Sequence, residues 1–594
     1  MALQPLAREP ASRTRGLQGS KALAKDGEPR LLVESVILGV IGALSAQLFM
    51  WMLRLSKHFF LYRIAGYHPP SLPEHGGFIP QSIGPHGLWL VPLVTTLGGL
   101  LSGALVYGLA PEAEGHGTDT AVTAFHRREG MIRARVSPIK MVASAITIGS
   151  GGSAGREGPI ALIAAGLGSL FANLTHRTEE ERRMMVLMGM AAGLSAIFRS
   201  PMGTGVFAIE VLYGRMEFEV SAFLYTMLSS AVAYTVNGAF VGFRPLFHVP
   251  AIPTPHFMAY FWYAALGIAS GLIGTLLPEF FYKVRDLFHA LPGPRWIRPG
   301  IGGLGVGLLA LAFPQVLGGG YGWIQVAIDG RLALRLMLIL VFAKMIAFAL
   351  TVSSGGSGGV FAPSLYVGAM LGAAFALPSH QPSAVFAVVG MAAVFGAAAR
   401  VPVATMLMVT EMAGGYHLLI PAGLAVMLSY LLHVRLSSRL KYSSLYEGQV
   451  PTRKDSPAHY LEQIQSAMRL LTSRNVPVSD EVSHLELLPL LRSRIHFDLP
   501  GDKQLTMGVL RDDSGLAGKT IADFYQQVKQ AFEIVAVLRR EHVLLPHPRT
   551  ILTSGDRLVL ITSPEARKAL PRYIAPSSPA QEGDAPPSLP SAAA

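Results

Sequence analysis

Apolar runs alternate with short polar stretches through residues 31–446, and a strand-like alternation takes over beyond residue 500. The long runs lie at residues 31–53, 87–109, 218–236, 259–277, 334–352 and 418–434; each can cross a bilayer core of about 30 Å as a helix. Shorter ones, at 160–174, 185–197, 203–212, 364–377 and 384–399, are too short or too glycine-rich to span alone. They predict half-helices whose ends are sheltered by protein rather than lipid. After residue 446 the chain turns polar and Pro-containing (450–457), and 458–473 reads as an amphipathic helix. From residue 504 the pattern is strand (504–510), helix (520–529), strand (532–538), hairpin and strand (557–562), which suits one small α+β domain. The expected divisions are a disordered N-terminal tail (1–30), a membrane domain (31–446), a linker with a helix (447–500), the small domain (501–574) and a Pro/Ser/Ala-rich disordered tail (575–594).

Two glycine-rich interruptions match each other. Residues 149–159 (GSGGSAGREGP) and 353–363 (SSGGSGGVFAP) align without a gap at an offset of 204, with six of eleven positions identical. Gly189-Met-Ala-Ala192, Arg199, Pro201 and Glu210 then recur as Gly390-Met-Ala-Ala393, Arg400, Pro402 and Glu411 at an offset of 201. The membrane half is therefore a duplication, with repeats at about 31–240 and 256–446. Interrupted helices at corresponding positions of two halves point to a transport site. Recurrence of Arg199, Glu210, Arg400 and Glu411 in both copies favours structural pairing at helix ends for those four.

Composition agrees with a polytopic membrane protein: 51% of residues are hydrophobic, 14% are charged, and mean hydropathy is +0.41. There is no cysteine, which removes disulfides and thiolate metal sites. Residues 1–30 carry Arg8, Arg13, Arg15, Lys21 and Lys25 with no apolar h-region ahead of residue 31, and read as a cytoplasmic tail rather than a signal peptide. The net charge of +12 is spread over both termini and short loops; it fits a positive-inside bias and forms no patch for nucleic acid.

Neither interruption is a phosphate loop, because neither ends in Gly-Lys-Ser/Thr, and neither fits a dinucleotide fingerprint. What they supply is backbone that turns sharply just before Pro159 and Pro363 and leaves N–H groups unpaired at two helix starts. Such N-termini, aimed inward at mid-membrane, attract anions. No paired catalytic carboxylates, nucleophile with histidine or metal-ligand cluster points to an enzyme, and no cofactor is expected.

Gly155-Arg-Glu-Gly-Pro159 and Gly359-Val-Phe-Ala-Pro363 resemble the signature motifs of the CLC chloride channels and chloride/proton antiporters, and the likeness runs from about residue 31 to 446. The resemblance implies an all-α polytopic membrane protein of CLC-type inverted repeats with broken helices. It further implies a homodimer in the cell membrane, with one anion pathway per subunit and both termini cytoplasmic. Glu157 matches the family's gating glutamate, which occupies an anion site when ionised and leaves it when protonated. A carboxylate at a helix N-terminus is held by the same N–H groups that would hold an anion, so the two compete.

By the same match, the N–H groups of Val360, Phe361 and Ala362, with Gly158 from the first interruption, bind the anion, and Tyr442 is the tyrosine whose hydroxyl meets it; Tyr446, four residues on, is the other candidate. The family's Gly-Ser-Gly-Ile-Pro appears here as Gly115-His-Gly-Thr-Asp119, so His116 replaces a donor serine. His116 is then either an N–H donor to the anion or a histidine satisfied by a carbonyl. Val211 stands where many antiporters carry an internal proton-transfer glutamate, and Glu217, Glu219 or His116 could substitute for it.

Ser514-Gly-Leu-Ala-Gly-Lys-Thr520, Ile534-Val-Ala-Val-Leu-Arg539 and Ser554-Gly-Asp-Arg-Leu-Val-Leu560 resemble the C-terminal regulatory domain of TrkA-type potassium-transport proteins, RCK-C. That likeness makes the small domain a cytosolic modulator, with an unknown small ligand or a docking role. The function expected from the sequence is passage of chloride or a similar anion, controlled by Glu157, as proton exchange or gated conduction. The alternatives are an uncoupled channel for another anion and a ligand-sensing membrane protein.

Overall fold

The computed structural model describes residues 16–72, 77–250 and 257–459 and, nearer the C-terminus, 497–499, 503–511, 515–527, 532–539, 542–544, 550–562 and 574–576. Two compact units divide between Gln449 and Val450. The described helices of the first are α1 (Gly16–Lys57), α2 (Val91–Leu109), α3 (Thr118–Arg127), α4 (Val136–Gly149), α5 (Glu157–Leu174), α6 (Glu179–Phe198), α7 (Pro201–Glu210) and α8 (Phe223–Val241). They are followed by α9 (Phe257–Ala290), α10 (Arg298–Ala312), α11 (Tyr321–Ile328), α12 (Leu334–Ser353), α13 (Phe361–Ser379), α14 (Ser383–Ala398), α15 (Pro402–Met412) and α16 (Leu419–Ser437). The second eight repeat the first eight one for one. Even the 3-10 turn Pro111–Ala113 ahead of α3 has its counterpart, Pro314–Val316, ahead of α11.

Every long apolar run falls on a helix (α1, α2, α8, α9, α12 and α16), and the short runs fall on α5, α6, α7, α13 and α14. The pattern of runs leaves out α4, which carries Lys140 and several hydroxyls, α10, which carries five glycines, α15, and the short helices α3 and α11. Among the described residues seven helices are long and apolar enough to cross a membrane. The helix α1 starts at Gly16, so residues 16–30, expected as a disordered tail, instead form its first turns. The Lys21–Lys25 stretch there is rich in good helix formers.

Close backbone contact holds each repeat's central hairpin. A Cβ at Gly168 of α5 would lie 2.1 Å from the Met185 carbonyl oxygen of α6, and one at Gly372 of α13 would lie 1.9 Å from that of Phe386 in α14. Only glycine lets these helices approach so closely.

The repeats are also tied end to end. Glu210, closing α7, accepts hydrogen bonds from the N–H groups of Val403 (3.1 Å) and Ala404 (2.6 Å) at the start of α15. Glu411, closing α15, accepts from Met202 (3.2 Å) and Gly203 (2.9 Å) at the start of α7, and from the Ser200 hydroxyl (2.5 Å). Each glutamate thus caps the other repeat's helix, satisfying buried N–H groups that have no intrahelical partner. The arginines do something different: Arg199 and Arg400 both leave their helices in the left-handed conformation (φ 54° and 57°). Arg199 donates to the Arg244 carbonyl and Arg400 to the Ser437 hydroxyl, both at 2.9 Å.

The second unit contains an antiparallel sheet of β1 (Phe497–Leu499), β2 (Lys503–Leu510), β3 (Phe532–Arg539), β4 (His542–Leu544), β5 (Arg557–Thr562) and β6 (Ile574–Pro576), with one helix, α17 (Ile521–Gln527). Strand order is β1-β2-β5-β3-β4, and β6 also pairs with β2. Leu510, Leu516, Ile521, Phe524, Ile534, Val537, Leu552, Leu558 and Leu560 form its core. Strand β6 runs into the expected tail because Ile574 pairs with Leu510 and extends the apolar sheet. The linker helix expected at 458–473 lies almost wholly outside the described residues.

The Gly-Asp turn ahead of β5 is pinned by charge. Asp556, 1% exposed, accepts two bonds from the Arg539 guanidinium, both 2.8 Å, and two from Thr553, at 2.8 Å from N–H and 3.0 Å from the hydroxyl. Burial pushes its carboxyl up, but the Arg539 and Thr553 bonds prevail and hold it below the usual carboxylate range. A depressed folded pKa contributes stability that is present above the unfolded value and lost as pH falls through the folded one. Asp556→Asn should therefore cost about 2 kcal/mol of local stability at neutral pH. Hydrogen exchange over residues 553–562 should show that gap closing as pH falls through the acid range; a gap independent of pH would remove the charge argument.

Candidate functional site at the facing helix starts

The two interruptions pair with each other. Gly155 N–H donates to the Gly359 carbonyl and Gly359 N–H to the Gly155 carbonyl, both at 2.7 Å, an isolated antiparallel bridge. Helices α5 and α13 start two residues beyond it, at Glu157 and Phe361. Their first N–H groups lack intrahelical partners and carry the positive ends of two helix dipoles into buried protein. Gly158, Val360, Phe361 and Ala362 are all buried here, so the structure brings together the four backbone positions read from the motifs. The Phe361 ring packs among Phe198, Phe207 and Phe395, with centroids 4.5, 6.1 and 4.0 Å away.

Glu157 turns back into this space and is 1% exposed. Its carboxylate faces the N–H groups of Arg156, Ala362 and its own residue. Oε1 accepts the Tyr321 hydroxyl and lies 3.8 Å from Arg156 Nε, while Oε2 makes no hydrogen bond of normal geometry. The Arg156 guanidinium stacks 4.7 Å over the Tyr321 ring.

His116 is buried beside the start of α5, where its carbonyl oxygen would lie 2.0 Å from a Cβ on Gly158. Its ring is 5.5 Å from that of Tyr446, and Nδ1 has no hydrogen-bond partner. An imidazole nitrogen buried without a partner is unusual unless something outside the chain meets it.

Tyr442 is placed elsewhere. Its hydroxyl donates to Asp286 (2.5 Å), its ring stacks on Tyr282 (4.8 Å), and Lys441 reaches the same Asp286 oxygen (2.9 Å). Tyr446 is the tyrosine that faces His116 and Phe207. The intervening Leu445 decides the matter: its N–H donates to the Ala398 carbonyl (2.9 Å) and its carbonyl accepts the Tyr282 hydroxyl (2.7 Å), which draws the next residue inward and leaves Tyr442 at the rim.

Three residues of this neighbourhood were not singled out from the sequence. Tyr321 opens α11 as Thr118 opens α3. Lys140 and Lys344, both fully buried, recur at an offset of 204. Lys140 Nζ donates to the carbonyls of Ala113 (3.0 Å) and Gly115 (2.6 Å), Lys344 Nζ to those of Val316 (2.8 Å) and Gly318 (2.6 Å). Neither makes an ion pair among the described residues. Each holds the loop that delivers a site residue, His116 in one repeat and Tyr321 in the other. The offset of 204 was the available signal.

The family model for voltage-gated chloride channels matches residues 98–433. The chain belongs to this CLC family. As a CLC protein it is a multi-pass membrane protein, and its second unit matches the TrkA-C domain over residues 508–575. It is 31% identical over 380 residues to the H(+)/Cl(-) exchange transporter ClcA of Salmonella agona (strain SL483), covering 61% of this chain and 79% of that one. The ClcA of Salmonella arizonae is 30% identical over the same length. Among solved structures, a slow cyanobacterial Cl-/H+ antiporter superposes with a TM-score of 0.61 at 23% identity over 70% of this chain and 96% of that one. A CLC-type fluoride/proton antiporter gives 0.59 at 23% identity over 71% and 98%. These likenesses establish the fold, an inverted repeat of broken helices.

The tightest point of this CLC site is testable by sterics alone. Gly158→Ala sets a methyl 2.0 Å from the His116 carbonyl, whereas Gly108→Ala meets nothing within 4 Å. The first should cost roughly 3 kcal/mol or more and the second should be neutral or slightly stabilising in helix α2. Thermal midpoints of the detergent-solubilised protein compare them; equal midpoints would show that the junction is looser than described.

Proposed function

We propose that this protein moves chloride, or a similar small anion, across the cell membrane in exchange for protons, through a pathway that meets the starts of α5 and α13 and is gated by Glu157. One observation carries the reading: the Glu157 carboxylate, itself an anion, already lies against the N–H groups that an anion would use. Protonated, it loses its advantage there and yields the place to a permeant ion. The N–H groups of Gly158, Val360, Phe361 and Ala362 supply the positive end of the site. The Tyr446 hydroxyl and the partnerless Nδ1 of His116 supply side-chain donors. The relatives' name, H(+)/Cl(-) exchange transporter, supports exchange for this chain too.

The proton's inner route needs a titratable group, and Val211 is a buried valine at the end of α7. The adjacent Glu210 is committed to capping α15, and Glu219 is a second buried carboxylate beside α7: its N–H donates to the Ile209 carbonyl (3.2 Å), and its carboxylate accepts from Tyr213 and Ser221, both at 2.6 Å. We assign the inner proton position to Glu219. Val211 itself favours the second reading, an uncoupled anion channel. The working unit is a homodimer with both termini in the cytoplasm, and the TrkA-C domain biases its transport states in response to a small ligand.

Purified protein in liposomes, with anion flux and pH recorded together, decides between exchange and conduction. Glu157→Gln should keep anion flux and abolish both its pH dependence and proton movement; a folded variant without anion flux would defeat the gate assignment. Tyr446→Phe should weaken chloride binding about tenfold, as expected for one hydrogen bond to an ion, and Tyr442→Phe should leave it unchanged. Chloride calorimetry reads both, and the reverse outcome would return the donor role to Tyr442.

A further inference from the structure

A cavity of about 650 Å³ opens on the Arg156 side of Glu157, and its wall carries Arg156, Arg199, Arg244, Arg331 and His248 against a single carboxylate, Asp329. Its size falls within the range of small-molecule sites. The excess of guanidinium over carboxylate, partly sheltered from solvent, focuses a positive potential there.

The wall is fixed in place. Gln325 on α11 clamps the backbone of His248 from both sides, accepting from its N–H (3.0 Å) and donating to its carbonyl (2.8 Å). The N–H of Phe247 donates to the Met412 carbonyl (2.9 Å), and Arg199 donates to the Arg244 carbonyl (2.9 Å). Asp329 is held by Gln325 Nε2 (2.9 Å) and Arg331 (3.7 Å), which turns part of its charge away from the space. Arg156 joins the cavity to the gate, since it also reaches Glu157 and Tyr321.

Chloride alone does not call for several planar, multi-donor cations in one chamber; guanidinium groups match the oxygens of phosphate and sulfate two at a time. We propose that this cavity is a binding site for multivalent oxoanions of the phosphate and sulfate class, distinct from the chloride positions at the helix starts. Occupancy draws on Arg156 and so slows anion passage at Glu157. Only that consequence for flux rests on the reading of a chloride pathway; binding does not.

Pyrophosphate titrated calorimetrically into the purified full-length protein, in isethionate buffer of constant ionic strength, should bind saturably. Sulfate should bind more weakly, having fewer oxygens to offer. The double variant Arg244→Gln/Arg331→Gln should weaken pyrophosphate by about tenfold or more, and Asp329→Asn should tighten it by about fivefold, because one repelling charge is gone. A misfolded protein would not show that gain. Absence of saturable binding up to about 10 mM, or affinities unmoved by both variants, overturns the site. In liposomes, pyrophosphate on the cavity face should slow chloride flux in the wild type and not in the double variant. If the wild type binds pyrophosphate but carries no chloride, the oxoanion site stands and the transport reading falls.

Discussion

Two hydrogen bonds between Gly155 and Gly359 organise this molecule. They join the interruption of one repeat to that of the other, and every feature of the site is referenced to them. The helix starts at Glu157 and Phe361 face a common space because both lie two residues beyond the bridge. Side chains larger than hydrogen at the crossing would meet backbone: a Cβ at Gly359 would lie 2.8 Å from the nitrogen of Gly158. The chain therefore concentrates donor groups at one buried point without needing a cation there.

Duplication solves the remaining polar problems in pairs. Glu210 and Glu411 exchange caps across the repeats, so the helix ends formed by breaking two spans are satisfied by protein, as a membrane interior requires. Lys140 and Lys344 are buried charges whose ammonium protons go to loop carbonyls. Isolated buried charge is costly, yet here each lysine fixes a loop of the candidate site, that of His116 or that of Tyr321, through two carbonyls.

The second unit follows different rules. Its resemblance phrases include residues that meet in space, Arg539 of one phrase and Asp556 of another forming a bidentate pair over the turn before β5. A Gly-Asp turn feeding an apolar strand is legible from sequence as structure; that the aspartate recruits an arginine from a neighbouring strand depends on sheet order, which local pattern does not encode.

The sequence by itself determined eleven of the sixteen helices of the first unit as apolar runs, that they form two copies, and where the copies break, because hydrophobic spacing and self-similarity are properties of the chain read in one dimension. It also placed Glu157, Gly158, Val360, Phe361 and Ala362 at two helix starts, since helix starts are local. Only the tertiary structure shows that Tyr446 faces His116 while Tyr442 turns to Asp286. That placement turns on the Leu445 N–H donating to the Ala398 carbonyl and the Tyr282 hydroxyl donating to the Leu445 carbonyl, partners 47 and 163 positions away, and no periodicity carries such information. The same holds for Tyr321 against Glu157, 164 positions apart, and for the arginines that share one cavity wall: long-range register is set by packing.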